Sequence, residues 1–204
     1  MNTPQALMPS VTNMIRLDHT HAMSTFHQYK RDTPPRAKRG LADHLCLALE
    51  IHAELEEQVF YPALRAADPD FDAQHSVQDH QEIRELIARV RNADEHTPAL
   101  DEAVQALMRV VMHHVADEET QVLPAAEARM PERLGELGWE MTKLRTRLVA
   151  GRAPAIASSA ARALSGNKVA LALGGVLGLA LALAASRGGR GARAMPRLPA
   201  TRLH

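Results

Sequence analysis

His52 and Glu56 stand four residues apart in HAELEEQVFYP (residues 52–62), and His114 and Glu118 stand four apart in HVADEETQVLP (residues 114–124). Each pair is followed by a second glutamate, Glu57 or Glu119, and each stretch closes on a proline. Residues four apart on a helix lie on one face, a turn from each other, and an exposed pair of this kind contributes only about 0.2–0.5 kcal/mol. Here both pairs fall on the apolar stripes of their helices. A buried carboxylate costs several kcal/mol unless something compensates it. A cation would do so, and imidazole with carboxylate is a donor set that iron, manganese and zinc accept.

Two further histidines extend the pattern. His19 and His80 lie on the apolar stripes of a first and a third helix, each directly after an aspartate, in LDH and QDH. His19 precedes His80 by 61 residues and His52 precedes His114 by 62, so the second half of this region repeats the first. Facing each other across a pseudo-twofold axis, each half would supply two imidazoles and one carboxylate. That is enough for two metals with the carboxylates as bridges. Two bridged metals in a helical core favour iron, with manganese or zinc behind it. No Glu is followed three residues later by His, which disfavours the Glu-x-x-His di-iron bundles. HExxH and a glycine-rich phosphate loop are also absent from the sequence. The one cysteine, Cys46, sits among leucines and reads as a small core residue.

The elements that must position these groups are helical. Aromatic residues make up 3% of the 204, unbranched side chains dominate, and the alternating pattern of strands is missing. Amphipathic spacing predicts a first helix from Val11 through Ile15, His19 and Phe26. A second begins at a Thr33 cap with Pro34 in its first turn, and passes through Leu41, Leu45, His52 and Val59. A third runs through Val77, His80, Ile83, Ile87 and Val90. A fourth, capped by Thr97 with Pro98 behind it, runs through Leu100, Leu107, Val111, His114 and Glu118. Short loops between long helices imply an all-α, up-down-up-down four-helix bundle. An additional C-terminal helix over 131–149 is expected to pack outside it.

Charge divides the chain. Residues 1–140 hold all 24 acidic side chains and 13 of the 24 basic ones, whereas residues 141–204 hold eleven basic and no acidic side chains. The expected organisation is a flexible N-terminus over 1–10, the bundle and fifth helix over 11–149, and an Ala/Ser/Gly linker over 150–167. A separate apolar segment follows over 168–186, then a basic disordered tail over 187–204. The apolar segment has 18 uncharged residues between Lys168 and Arg187, near the lower limit for a membrane span. Gly174 and Gly178 form a GxxxG that could pair helices into an oligomer. With a basic tail behind it, the segment suits a membrane surface. The N-terminus lacks a secretory pattern, so the expected location is cytoplasmic, at the inner face of a membrane. Nucleic-acid binding is not expected, because no aromatic residue interleaves the arginines of the tail.

The pattern DH (18–19), HxxxEE (52–57), DH (79–80), HxxxEE (114–119) resembles the hemerythrin-like, or HHE cation-binding, domain over about residues 10–150. The resemblance implies a four-helix bundle holding two irons with an oxo or hydroxo bridge. His19, His52, His80 and His114 would be imidazole ligands, and Glu56 and Glu118 bridging ones. It further implies a protein that binds or senses oxygen or a related small oxidant, or buffers iron, with no residue given a catalytic role. The alternative is a di-iron oxidoreductase turning over peroxide or nitric oxide. The resemblance departs at Arg84, which stands where oxygen carriers of the family place a fifth histidine, one turn after His80. His21, His27, His44, His75 and His96 lie off the expected seams, and each is a reserve candidate for that fifth ligand. His113 is expected at the surface or rim, and Tyr61 in the core, with a place near the site as the alternative. Glu57 and Glu119 are expected either as acceptors behind ligand imidazoles or as solvated side chains.

Overall fold

The computed structural model describes residues 9–70 and 74–165. Four long helices form the bundle: α1 (Val11–Gln28), α2 (Pro35–Leu55), α4 (Gln74–Asn92) and α5 (Pro98–Asp117). Short helices α3 (Tyr61–Ala67) and α6 (Leu123–Arg129) extend α2 and α5, and α7 (Leu134–Ala163) closes the order. No strand occurs among the described residues. The architecture is the all-α bundle with an additional C-terminal helix that the periodicity predicts.

Local chemistry sets the helix starts. Ser10 caps α1 by accepting the Asn13 N–H through its hydroxyl. Thr97 is extended before Pro98, but its hydroxyl donates back to the Asp94 carbonyl and does not cap the helix. The start of α2 differs from expectation by one residue. Pro35 forces the residue before it out of the helical region, so Pro34 is extended and Pro35 opens the first turn. The Thr33 hydroxyl turns back to accept the Lys30 N–H instead. Val77, assigned to an apolar stripe by its spacing, is exposed, while Ile83, Ile87 and Val90 on the same helix are buried.

The repeated prolines explain a feature that helical periodicity does not reveal. A proline inside a helix lacks an N–H and clashes with the carbonyl four residues back. Ahead of Pro62 and Pro124 the chain widens into one turn of π-helix, Glu56–Phe60 and Glu118–Val122. The Tyr61 and Leu123 N–H groups then donate to the carbonyls of Glu56 and Glu118, five residues back. Each wide turn begins at the glutamate of a His-x-x-x-Glu pair.

The core has two apolar layers. One gathers Ile15, Leu55, Phe60, Tyr61, Leu64, Leu123 and Met141, and the other Leu45, Cys46, Ile83, Ile87, Leu107 and Val111. His19, His52 and His114 lie along their helices between residues of the first layer and residues of the second.

Helix α7 is longer than expected. The segment from 150, expected as a linker, is helical to Ala163 and lies along α2. Ile156, Ser159 and Ala163 are buried there, and Arg152 and Arg162 pair with Glu54 and Asp43 of α2. Gly40 lets the two backbones meet, since a Cβ at that position would stand 2.2 Å from the Ala163 nitrogen. The apolar segment 168–186 and the tail 187–204 lie outside the described residues. No helix among the described residues is long and apolar enough to cross a membrane.

Candidate metal centre

The bundle brings all six expected ligands together. His19, His52, Glu56, His80, His114 and Glu118 are each at most 6% exposed, and both glutamates are completely enclosed. The imidazoles form two pairs: His19 with His52, ring centroids 5.0 Å apart, and His80 with His114, 4.8 Å apart. Each glutamate reaches both pairs through a single oxygen. Glu56 Oε2 lies 3.4 Å from His52 Nε2 and 3.2 Å from His80 Nε2. Glu118 Oε2 lies 3.6 Å from His114 Nε2 and 3.3 Å from His19 Nε2. Each carboxylate thus stands between the two imidazole pairs.

The Nδ1 atoms face outward to a second ring of acids. His19 Nδ1–H donates to Glu119 (2.9 Å) and His80 Nδ1–H to Glu57 (3.0 Å). A donated Nδ1–H fixes the tautomer and leaves Nε2 free for a metal. Asp18 Oδ2 stands 3.6 Å from His52 Nδ1, and Asp79 Oδ2 stands 3.6 Å from His114 Nδ1. The four contacts obey the same twofold relation as the ligands. Glu57 and Glu119 therefore sit behind imidazoles, and the aspartate of each DH dipeptide stands beside the histidine of the neighbouring HxxxEE.

Three further residues adjoin the ligands and their partners. Tyr61, expected in the core, donates its hydroxyl to Glu118 Oε1 (2.6 Å) and lies 3.2 Å from Glu56 Oε2. The wide turn at Glu56–Phe60 carries its ring inward. Arg145 of α7 forms a two-pronged pair with Asp18 at 2.6 and 2.5 Å, so α7 supports the centre as well as covering the bundle. Arg84, at the place of the fifth histidine, instead pairs with Glu57 at 2.5 Å. Of the reserve histidines, His21 and His44 are buried together, Nε2 to Nε2 at 3.2 Å, and pair with each other rather than with the six. His113 is exposed, as expected, as are His75 and His96.

Protons divide unevenly within the cluster. Burial opposes charge on His19 and His80, but the close carboxylates of Glu118 and Glu56, with the hydrogen bonds to Glu119 and Glu57, outweigh it and raise both to about 9. Burial together with the neighbouring imidazoles holds His114 down to about 3, against the pull of Glu118. Burial and the charge of Glu118 raise Glu56. Burial would raise Glu118 too, but His19 and the other imidazoles beside it prevail and lower it. Burial and the two glutamates push the Tyr61 phenol far up, so it stays a donor.

The donor set fits a metal. His19 Nε2, His52 Nε2, Glu56 Oε1 and Glu118 Oε2 are buried without a hydrogen-bond partner. Polar atoms in a protein interior are rarely left so, and all of these belong to groups that ligate metals. One ligand atom from each of His19, His52, His114 and Glu118 falls within 4.8 Å of the others, and so it does for His52, Glu56, His80 and His114. A small cavity bounded by the four imidazoles and by apolar side chains including Leu49, Ile83 and Val111 adjoins the cluster.

Comparison with known proteins agrees with this geometry. The family model of the hemerythrin HHE cation-binding domain matches residues 10–126. The chain belongs to that family of cation-binding domains. It is 26% identical over 116 residues to a DNA nickase of Nostoc sp. (strain PCC 7120), covering 57% of this chain and 33% of that protein. It is 27% identical over 85 residues to uncharacterized proteins of Mycobacterium tuberculosis and Mycobacterium bovis, covering 42% of this chain and 52% of theirs. The matches thus span a third to a half of these curated relatives. No solved structure matches the chain.

Proposed function

We propose that this protein is a non-haem di-iron protein that binds or senses oxygen or a related small oxidant through His19, His52, Glu56, His80, His114 and Glu118. The observation that carries this reading is the single oxygen of each glutamate placed between one imidazole of each pair. Two irons held there would supply reversible electron transfer to a small oxidant. The protein's own part is to present four Nε2 donors, with Nδ1 of His19 and His80 held by Glu119 and Glu57. Tyr61 holds the two carboxylates in register as a neutral donor. Burial excludes bulk water, and the adjoining cavity has room for a molecule about the size of water, not for an organic substrate. Imidazole and carboxylate also accept manganese and zinc.

A second reading, an oxidoreductase acting on peroxide or nitric oxide, is favoured by one observation. Arg84 is tied to Glu57, so the place of a fifth imidazole is filled by a side chain that cannot ligate. The Nostoc relative's nickase name belongs to a protein of which this chain matches a third. To separate the readings, the full chain is loaded with ferrous iron without air and then exposed to oxygen. A stoichiometric near-ultraviolet absorbance change that a reductant reverses is expected. Sustained consumption of added peroxide, lost in His114→Ala, would favour the enzyme, and no change with any oxidant would remove both readings.

A further inference from the structure

A second group of metal-ligating side chains lies outside the buried centre, where α4 and α5 run side by side. His75 Nε2 and His113 Nδ1 each stand 3.5 Å from Asp117 Oδ2. The two rings are 6.0 Å apart and perpendicular. Asp79 joins them, so that one ligating atom from each of the four lies within 4.8 Å of the other three. His75 and His113 are well exposed and Asp117 partly so, but Asp79 is only 8% exposed. Its Oδ2 is buried without a hydrogen-bond partner.

The pseudo-twofold relation gives this orphaned oxygen its meaning. Asp18 and Asp79 are counterparts, each 3.6 Å from the Nδ1 of a centre histidine. Asp18 is neutralised by Arg145, whose guanidinium meets both of its oxygens. Among the described residues no arginine or lysine pairs with Asp79. The histidines and Asp117 are gathered beside it instead. A buried carboxylate that lacks a counter-charge is costly, and two imidazoles with two carboxylates suit a first-row divalent cation, zinc above all.

We propose that His75, Asp79, His113 and Asp117 form a separate, solvent-facing site for one divalent transition-metal cation. This cation is to Asp79 what Arg145 is to Asp18. None of its four ligands is among the six of the buried centre, although Asp79 also stands beside His114.

Equilibrium dialysis of the iron-treated full chain against zinc, followed by metal analysis, tests this. The wild type is compared with His75→Ala/His113→Ala, in which only exposed side chains change. One more zinc per chain in the wild type, with equal iron in both, is the expected result. Equal zinc in the two proteins, or an extra equivalent that excess magnesium displaces, overturns the site. Should the double variant aggregate, His75→Ala alone, near the start of α4, takes its place: loss of the extra zinc supports the site and its retention overturns it.

Discussion

Glu57 and Glu119 differ from ordinary surface glutamates only in what lies behind them. Each accepts from the Nδ1–H of a buried histidine whose Nε2 faces the centre. Outer partners of this kind are typically worth 10–100-fold in metal affinity. Glu119→Gln is therefore expected to weaken iron retention by roughly that factor in a chelator competition, while far-ultraviolet circular dichroism stays unchanged. Unaltered retention would mean that the contact only anchors a surface side chain. His44 makes a different prediction. Burial, helped by His21, holds it down to about 4, well below a free imidazole. Between about pH 4 and pH 6.5 the unfolded chain then binds a proton at His44 that the folded one does not, so stability rises with pH across that window and falls as it is acidified. His44→Gln should flatten this part of the profile in urea unfolding. A profile identical to wild type would show that the proton is accommodated elsewhere.

Among the helices, α7 and the two wide turns carry most of what ligand spacing leaves out. Arg145 is buried and the Asp18 side chain is only 12% exposed, so removing one partner strands the other charge. Arg145→Met should cost about 3–5 kcal/mol in denaturant unfolding. Asp18→Asn in the same chain should recover part of that cost, whereas strict additivity would argue against a coupled pair. The bundle and all six inward-facing donors are legible in the sequence because His, Glu and the apolar positions share one 3.6-residue period. The wide turns are not, since they break that period, although Pro62 and Pro124 mark where they end. The contact of Tyr61 with both glutamates is hidden for that reason: its position in the centre depends on the altered phase. Arg145 escapes notice because nothing local links residue 145 to Asp18; only the docking of α7 does. The helical extent of 150–163 is obscured by small residues, which look like a linker but allow the close packing on α2 seen at Gly40 and Ala163.

Along the entire chain, an acidic bundle precedes a basic C-terminal part, with all 24 acidic side chains in residues 1–140. That asymmetry, with the apolar stretch 168–186, predicts that the full chain sediments with anionic lipid vesicles. A chain ending at residue 165 should stay in solution, and high salt should reduce the binding of the full chain. Equal behaviour of the two chains would separate the C-terminal part from any membrane role. Everything proposed for the bundle core depends on six buried side chains of the hemerythrin family pattern holding two metals, with Glu56 and Glu118 as bridges. The decisive measurement is metal analysis of the full chain expressed with iron, set beside Glu56→Ala and Glu118→Ala. Two irons per chain are expected in the wild type, together with near-ultraviolet charge-transfer absorption that either substitution abolishes. A single zinc, or no metal in a folded wild-type bundle, would contradict the dinuclear centre.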